Sequence, residues 1–70
     1  MPYVNVQLLE GVSREQKAAL VADITQSLVA RLGKNPDHIH IVIQEIAPSS
    51  WGYQGRLTDT LQTDTQSAAD

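Results

Sequence analysis

Cysteine is absent from the seventy-residue chain, and no apolar run approaches the roughly 20 residues that a membrane-spanning helix requires. The lack of cysteine excludes both disulfides and thiolate metal sites. The chain also lacks a basic segment followed by an apolar one at its start, which is the pattern of a secretion signal. We therefore expect a cytoplasmic protein that is not associated with a membrane.

Basic residues are also few. Five lysines and arginines stand against eight aspartates and glutamates, and the formal net charge is −3. The basic residues are spread through the chain and form no patch that could follow a phosphate backbone. Nucleic acid is therefore an unfavourable partner.

The chain is long enough for one small domain, which we assign to residues 1–61. A domain of this size buries only about 60% of the surface that its unfolded chain exposes. Such domains usually gain stability from disulfides, metals or oligomerisation. With cysteine absent, oligomerisation is the leading source. Residues 62–70 are small and polar, and we predict a disordered tail there.

Two strands and one helix are predicted. Residues 3–9 alternate apolar and polar side chains, and residues 39–46 (IHIVIQEI) do the same. Between them, Ser13 and Gln16 fit a capping box, and Gly33 fits the C′ position of a helix of about 18 residues. The apolar stripe of this helix is Leu20, Val21, Ile24, Leu28 and Leu32.

A strand, a crossover helix and a second strand form a βαβ unit, so the two strands should be parallel. The helix covers one face of this small sheet. The other face carries Tyr3, Leu9, Val42 and Ile46, and nothing else in the chain is long enough to cover it. Parallel sheets are rarely left exposed on one side, so we expect other subunits to cover this face.

Several motifs occur in order along roughly residues 1–57: Met-Pro at the start, LLEG before SREQK, then IHIVIQEI and SSWGYQG. With this set the chain resembles the 4-oxalocrotonate tautomerase family. The resemblance implies an α/β fold of βαβ subunits, each with a C-terminal hairpin, in a homohexamer built as a trimer of dimers. It also implies an isomerase that acts on a small molecule without a cofactor or metal.

In this family the N-terminal proline is the general base, so the resemblance assigns catalysis to Pro2 after removal of Met1. An α-amine titrates near 8 when unperturbed, and desolvation favours its neutral form. The alternative is that Pro2 only begins a strand, a position that tolerates proline. If Met1 is retained, the nitrogen of Pro2 is an amide and is not basic.

Trp51 matches the aromatic wall of the family's active site, which is usually phenylalanine. An apolar wall beside the amine excludes water and helps to lower its pKa. The alternative is that Trp51 anchors a subunit interface, because tryptophan is enriched in buried contacts.

Two family arginines that hold substrate are missing. Val12 replaces the one after the Leu-Glu-Gly turn, and His40 replaces the one in the second strand, which a neighbouring subunit contributes. Histidine lacks the permanent bidentate fork of arginine, so a dicarboxylate is a doubtful substrate. His40 either polarises a carbonyl oxygen of the substrate or is an ordinary interface histidine. His38 is predicted to lie on the same strand face as His40, so the two could bind a metal together. The chain offers no obvious third ligand, and a metal site is therefore not expected.

Arg14 is unusual, because it stands at the positive end of the helix dipole. It either serves an anionic substrate or is a surface arginine held by Glu10 or Glu15. Arg56, after the glycine-flanked turn, is a second candidate cation.

The resemblance thus predicts a keto–enol tautomerase acting on enolisable 2-keto acids or related unsaturated carbonyl compounds. One alternative is a catalytically weak or inactive structural subunit of a hetero-oligomer, because both arginines are missing. A lesser alternative is a haloacrylate-type dehalogenase or hydratase. That chemistry needs an acid after the second strand, where the chain has Tyr53 and Gln54.

Overall fold

The structure is a computed structural model and describes residues 2–60. Its main elements are strand β1 (Tyr3–Leu9), helix α1 (Arg14–Leu32) and strand β2 (His40–Ile46). Short 3₁₀ turns at Pro36–His38 and Pro48–Ser50 flank β2, and strands β3 (Gly52–Tyr53) and β4 (Arg56–Leu57) follow. The predicted βαβ unit and C-terminal hairpin are confirmed. The predicted tail, residues 62–70, lies outside the described residues.

Strands β1 and β2 are parallel, as predicted, with Cα partners from Tyr3 opposite His40 to Leu9 opposite Ile46. The ladder extends by one bond at each end. The His40 N–H donates to the Pro2 carbonyl at 3.1 Å, and the Glu10 N–H donates to the Ile46 carbonyl at 3.1 Å. Exposed and half-buried side chains alternate along both strands, so each strand has one covered face.

Helix α1 begins and ends through local signals. The Ser13 hydroxyl accepts the Gln16 N–H at 3.1 Å, and the Gln16 side-chain oxygen accepts the Ser13 N–H at 3.0 Å. This is the predicted capping box. At the other end Gly33 adopts φ 66° and donates its N–H to the Val29 carbonyl at 3.0 Å, which terminates the helix.

The expectation that Leu32 packs with the apolar stripe of the helix is wrong. Leu32 does not belong to the covered stripe, because 61% of its surface is exposed. The helix has 19 residues and spans about 28 Å, whereas the seven-residue strands span about 23 Å. The helix is therefore longer than the strands, and residues 30–32 at its end are exposed.

His38 does not share a strand face with His40. It lies in the 3₁₀ turn before β2, where the Asn35 side chain accepts the Asp37 N–H at 2.9 Å. The Ile39 N–H donates to the Pro36 carbonyl at 3.3 Å and so belongs to the turn. Strand β2 consequently begins at residue 40 instead of 39.

A single subunit encloses very little. Among residues 2–60 no apolar residue is fully buried, and Thr58 is the one buried residue, with 3% exposure. On the sheet face away from the helix, Tyr3 is 61% exposed and Val42 40% exposed. On the same face, the Gln7 amide donates to the Gln44 side-chain oxygen at 3.0 Å across the strands. In a single subunit this face is open, as the sequence predicted.

Candidate functional site

Pro2 and His40 meet at the amino ends of the parallel strands. Pro2 is half-buried directly before β1, and its carbonyl accepts the N–H of His40. His40 is the Cα partner of Tyr3, so its exposed side chain lies with that of Tyr3 on the open sheet face. By strand alternation residue 2 belongs with Val4 on the covered face. The two backbones are therefore adjacent within one subunit, whereas the side chains lie on opposite faces.

Trp51 lies beyond the carboxyl end of β2. It is half-buried, and its N–H donates to the Pro48 carbonyl at 3.4 Å at the end of the 3₁₀ turn. Its own carbonyl accepts both the N–H of Thr58 at 2.7 Å and the Thr58 hydroxyl at 2.6 Å. These bonds close the loop that contains the hairpin. Sequence reasoning missed Thr58, because nothing in the local pattern distinguishes a buried threonine from an exposed one.

The hairpin presents Arg56 opposite Tyr53 across β3 and β4. Gln54 and Gly55 form its two-residue turn with φ values of 58° and 74°. Positive φ at both positions is characteristic of a type I′ turn. Tyr53 and Arg56 are both exposed and line a shallow depression together with Gly52, Gly55 and Leu57. Arg56 therefore lies on the surface beyond the carboxyl end of the main sheet.

A second feature at this end is the contact that we call the Glu45 clamp, formed by Gly11, Lys17 and Glu45. Lys17 on α1 forms an ion pair with Glu45 on β2, and a Glu45 carboxylate oxygen accepts the Gly11 N–H at 3.2 Å. The hydrogen bond from Lys17 is the largest cause of a lowered pKa of Glu45, and the Gly11 and Val12 amides act in the same direction. The clamp fixes the turn that carries Val12. The sequence feature that could have indicated this contact is Glu45 itself, an acidic residue on the strand face that otherwise carries isoleucines.

Arg14 is the first residue of α1 and is exposed. With Lys17, Ala18 and Val21 it borders a shallow depression on the helix surface. In the described part of the chain it forms no ion pair with Glu10 or Glu15. Val12, Arg14 and Trp51 all lie toward the carboxyl ends of the strands, at the opposite end from Pro2 and His40.

No helix within residues 2–60 combines the length and the apolar character needed to cross a membrane. The same residues contain no group of three or more His, Asp or Glu side chains arranged to hold a metal ion.

The chain matches a family model described as "Tautomerase enzyme" over residues 2–60. The chain therefore belongs to the tautomerase family. A curated relative, "Probable tautomerase K2" of Dickeya dadantii, is 45% identical over 56 residues, which cover 79% of this chain and 84% of the relative.

Solved structures agree with this membership. A 4-oxalocrotonate tautomerase isozyme from Methylibium petroleiphilum superposes with a TM-score of 0.86 at 33% identity, covering 90% of this chain and 98% of that one. A heterohexamer 4-oxalocrotonate tautomerase from Chloroflexus aurantiacus has a TM-score of 0.80 at 30% identity, covering 87% and 98%. The chain thus has the tautomerase fold along almost its whole described length.

Proposed function

We propose that the protein is a cofactor-free keto–enol tautomerase in which Pro2, freed by removal of Met1, is the general base. The observation that carries this proposal is a half-buried proline at the head of β1, in a chain whose match to the tautomerase family begins at that residue. The proposed substrates are enolisable 2-keto acids or related unsaturated carbonyl compounds. We further propose that residues 1–61 act as one domain and that the enzyme works in the cytoplasm.

The proposed reaction needs one group that both accepts and returns a proton. The neutral amine of Pro2 takes the proton from the enol oxygen while the carbonyl double bond forms. The protonated amine then returns it to a carbon of the conjugated system, so that no proton is gained or lost. Burial disfavours the charged amine and lowers its pKa toward neutral pH, where such a base is most effective.

The other candidate residues receive roles consistent with their chemistry. Trp51 is proposed to form the apolar wall that keeps water from the amine. His40 is proposed to donate a hydrogen bond to the substrate carbonyl oxygen. Arg14 and Arg56 are candidate partners for a substrate carboxylate. Because Val12 is apolar, a substrate with one carboxylate fits this set better than a substrate with two.

The separation of these groups supports a site shared between subunits. Pro2 and His40 lie at one end of β1 and β2, and Val12 and Trp51 lie at the other, about 23 Å away along the strands. A pocket that uses both ends therefore needs a second copy of the chain. We propose a homo-oligomer, a hexamer arranged as a trimer of dimers, that covers the open sheet face.

The state of the N-terminus tests this function directly. We expect intact-mass measurement to show a chain that begins at Pro2, and kcat/KM for a 2-keto enol to rise with pH through an apparent pKa below about 8. NMR titration of the Pro2 nitrogen should give the same pKa, because kcat/KM reports the free enzyme. Pro2→Ala retains an amine but loses its fixed placement, and it should lose most of the rate.

The decisive control is a form with one extra residue ahead of Pro2, in which the proline nitrogen is an amide. We expect this form to lose nearly all activity while sedimenting as the same oligomer. Equal turnover by the extended and processed forms would show that Pro2 only begins a strand, and the proposal would fail.

A second candidate function is that of a weakly active or inactive subunit in a hetero-oligomer. The apolar Val12 and the histidine at position 40 favour it, as does the similarity to a subunit of a heterohexamer. It predicts that the purified chain, although processed at Met1, turns over no member of a panel of enols. It also predicts that the chain forms a stable assembly only with a second, related chain.

A further inference from the structure

Thr58 is the most enclosed residue in the described part of the chain. It is 3% exposed, whereas the neighbouring residues Leu57 and Asp59 are exposed. Both of its hydrogen-bond donors, the backbone N–H and the side-chain hydroxyl, reach the same acceptor, the carbonyl oxygen of Trp51. Replacing this hydroxyl by an apolar group removes one of the two hydrogen bonds that the Trp51 carbonyl accepts.

Hydrogen bonds therefore hold both backbone polar groups of Trp51, its N–H and its carbonyl. Its N–H is fixed to Pro48 by the 3₁₀ turn, and its carbonyl is fixed to Thr58 after the hairpin. The direction in which a side chain leaves the backbone depends on φ and ψ, so a backbone held at both groups restricts where the indole lies. The two Thr58 bonds thus tie the residue that follows the hairpin to the residue that precedes it.

We propose that Thr58 is a positioning residue: its hydroxyl fixes the orientation of the Trp51 indole. The catalytic consequence rests on the proposed function, in which the indole shields the Pro2 amine from water. In the assembled enzyme a displaced indole admits water to the base. This raises the pKa of the amine toward its solvent value and weakens the contact with substrate.

The test uses the full chain with three substitutions, and a fourth, Thr58→Ala, is held in reserve. Thr58→Val keeps the side-chain shape and removes the hydroxyl donor, while its backbone N–H can still bond the Trp51 carbonyl. Thr58→Ser restores the hydroxyl. Thr60→Val makes the same chemical change at an exposed residue whose hydroxyl bonds Asp59 at 3.4 Å. Sedimentation of each variant checks that the assembly is intact.

Fluorescence gives the first readout, because Trp51 is the single tryptophan of the chain. We expect Thr58→Val to shift its emission to longer wavelength and to raise its quenching by acrylamide, whereas Thr58→Ser and Thr60→Val match the parent. Parent-like emission and quenching in a folded Thr58→Val variant would overturn the positioning role. If Thr58→Val fails to assemble, Thr58→Ala, a smaller donor-free variant, replaces it, and parent-like emission and quenching of Thr58→Ala would overturn the positioning role.

Kinetics give the second readout. For Thr58→Val we expect kcat/KM at neutral pH to fall about 5- to 10-fold, because a higher pKa leaves a smaller fraction of the amine neutral, and the apparent pKa in its pH profile to rise. A variant that is merely less stable would lose active molecules without moving that pKa. An indole that moves with no change in the pH profile would contradict the catalytic consequence. If the parent chain has no tautomerase activity, the proposed function fails, while fluorescence still decides whether Thr58 positions Trp51.

Discussion

Val12 and His40 are the residues at which this chain differs most clearly from what the family resemblance implies. Both replace a permanent cation with a group that cannot hold a carboxylate in a bidentate way. Val12 is half-buried in the turn fixed by the Glu45 clamp, whereas His40 is exposed on the open sheet face. If both positions line the proposed pocket, we expect substrate choice to depend on two side chains held by different elements.

Restoring the two arginines should change that choice. We expect Val12→Arg with His40→Arg to improve kcat/KM for a dicarboxylate enol, because each charge-assisted contact contributes about 1.5–3 kcal/mol where the geometry permits. Steady-state kinetics on a dicarboxylate and a monocarboxylate enol measure the change. Val12→Leu with His40→Gln is the matched control without added charge. No gain in a double variant that remains assembled would mean that these positions do not line the pocket.

The elements of the fold differ in how far the sequence determined them. Helix α1 was predicted almost to the residue, because Ser13, Gln16 and Gly33 act on their immediate neighbours. The exposure of Leu32 was not foreseen, because it depends on the length of strands elsewhere in the chain. The Lys17–Glu45 pair was missed because its two residues become neighbours only after the chain folds. The Thr58–Trp51 bonds were missed because nothing in the local pattern marks Thr58 as buried.

The Glu45 clamp joins the turn, the helix and the second strand, and it should make stability depend on pH. The folded-state pKa of Glu45 is lowered, so its contribution is complete above the unfolded value, near 4.3, and is lost as pH falls through the folded value. We expect Glu45→Gln to destabilise the protein at neutral pH and to differ progressively less from the parent below pH 4. Urea unfolding across this range measures the difference.

The control for the clamp is Glu10→Gln, which removes a charge from an exposed residue one position before Gly11. It should leave the pH dependence of the free energy of unfolding close to that of the parent. If the gap between Glu45→Gln and the parent stays constant from pH 7 to pH 3, the ion pair with Lys17 does not contribute to stability.

At the scale of the whole molecule, the sheet face is open and residues 2–60 contain no buried apolar residue, and burial against other subunits is the remedy that we expect. We expect sedimentation at micromolar concentration to give a multiple of the 7.7 kDa subunit, with six copies favoured. Val42→Glu introduces a charge on the open face and should dissociate or unfold the assembly. Gln26→Glu adds the same charge at an exposed helix residue and should not. A stable, folded monomer of the parent chain would contradict the architecture.

The parallel pairing of β1 and β2 also constrains the order in which a newly made chain acquires its structure. The Gln7–Gln44 bond joins residues 37 positions apart, and the pairing around it has a similar separation. Closing a loop of that length costs entropy before any contact compensates for it, whereas α1 depends on bonds between near neighbours. The helix can thus form while the strand that precedes it is still unpaired. The apolar side chains of β1 therefore stay in contact with water until residue 40 and those after it reach them.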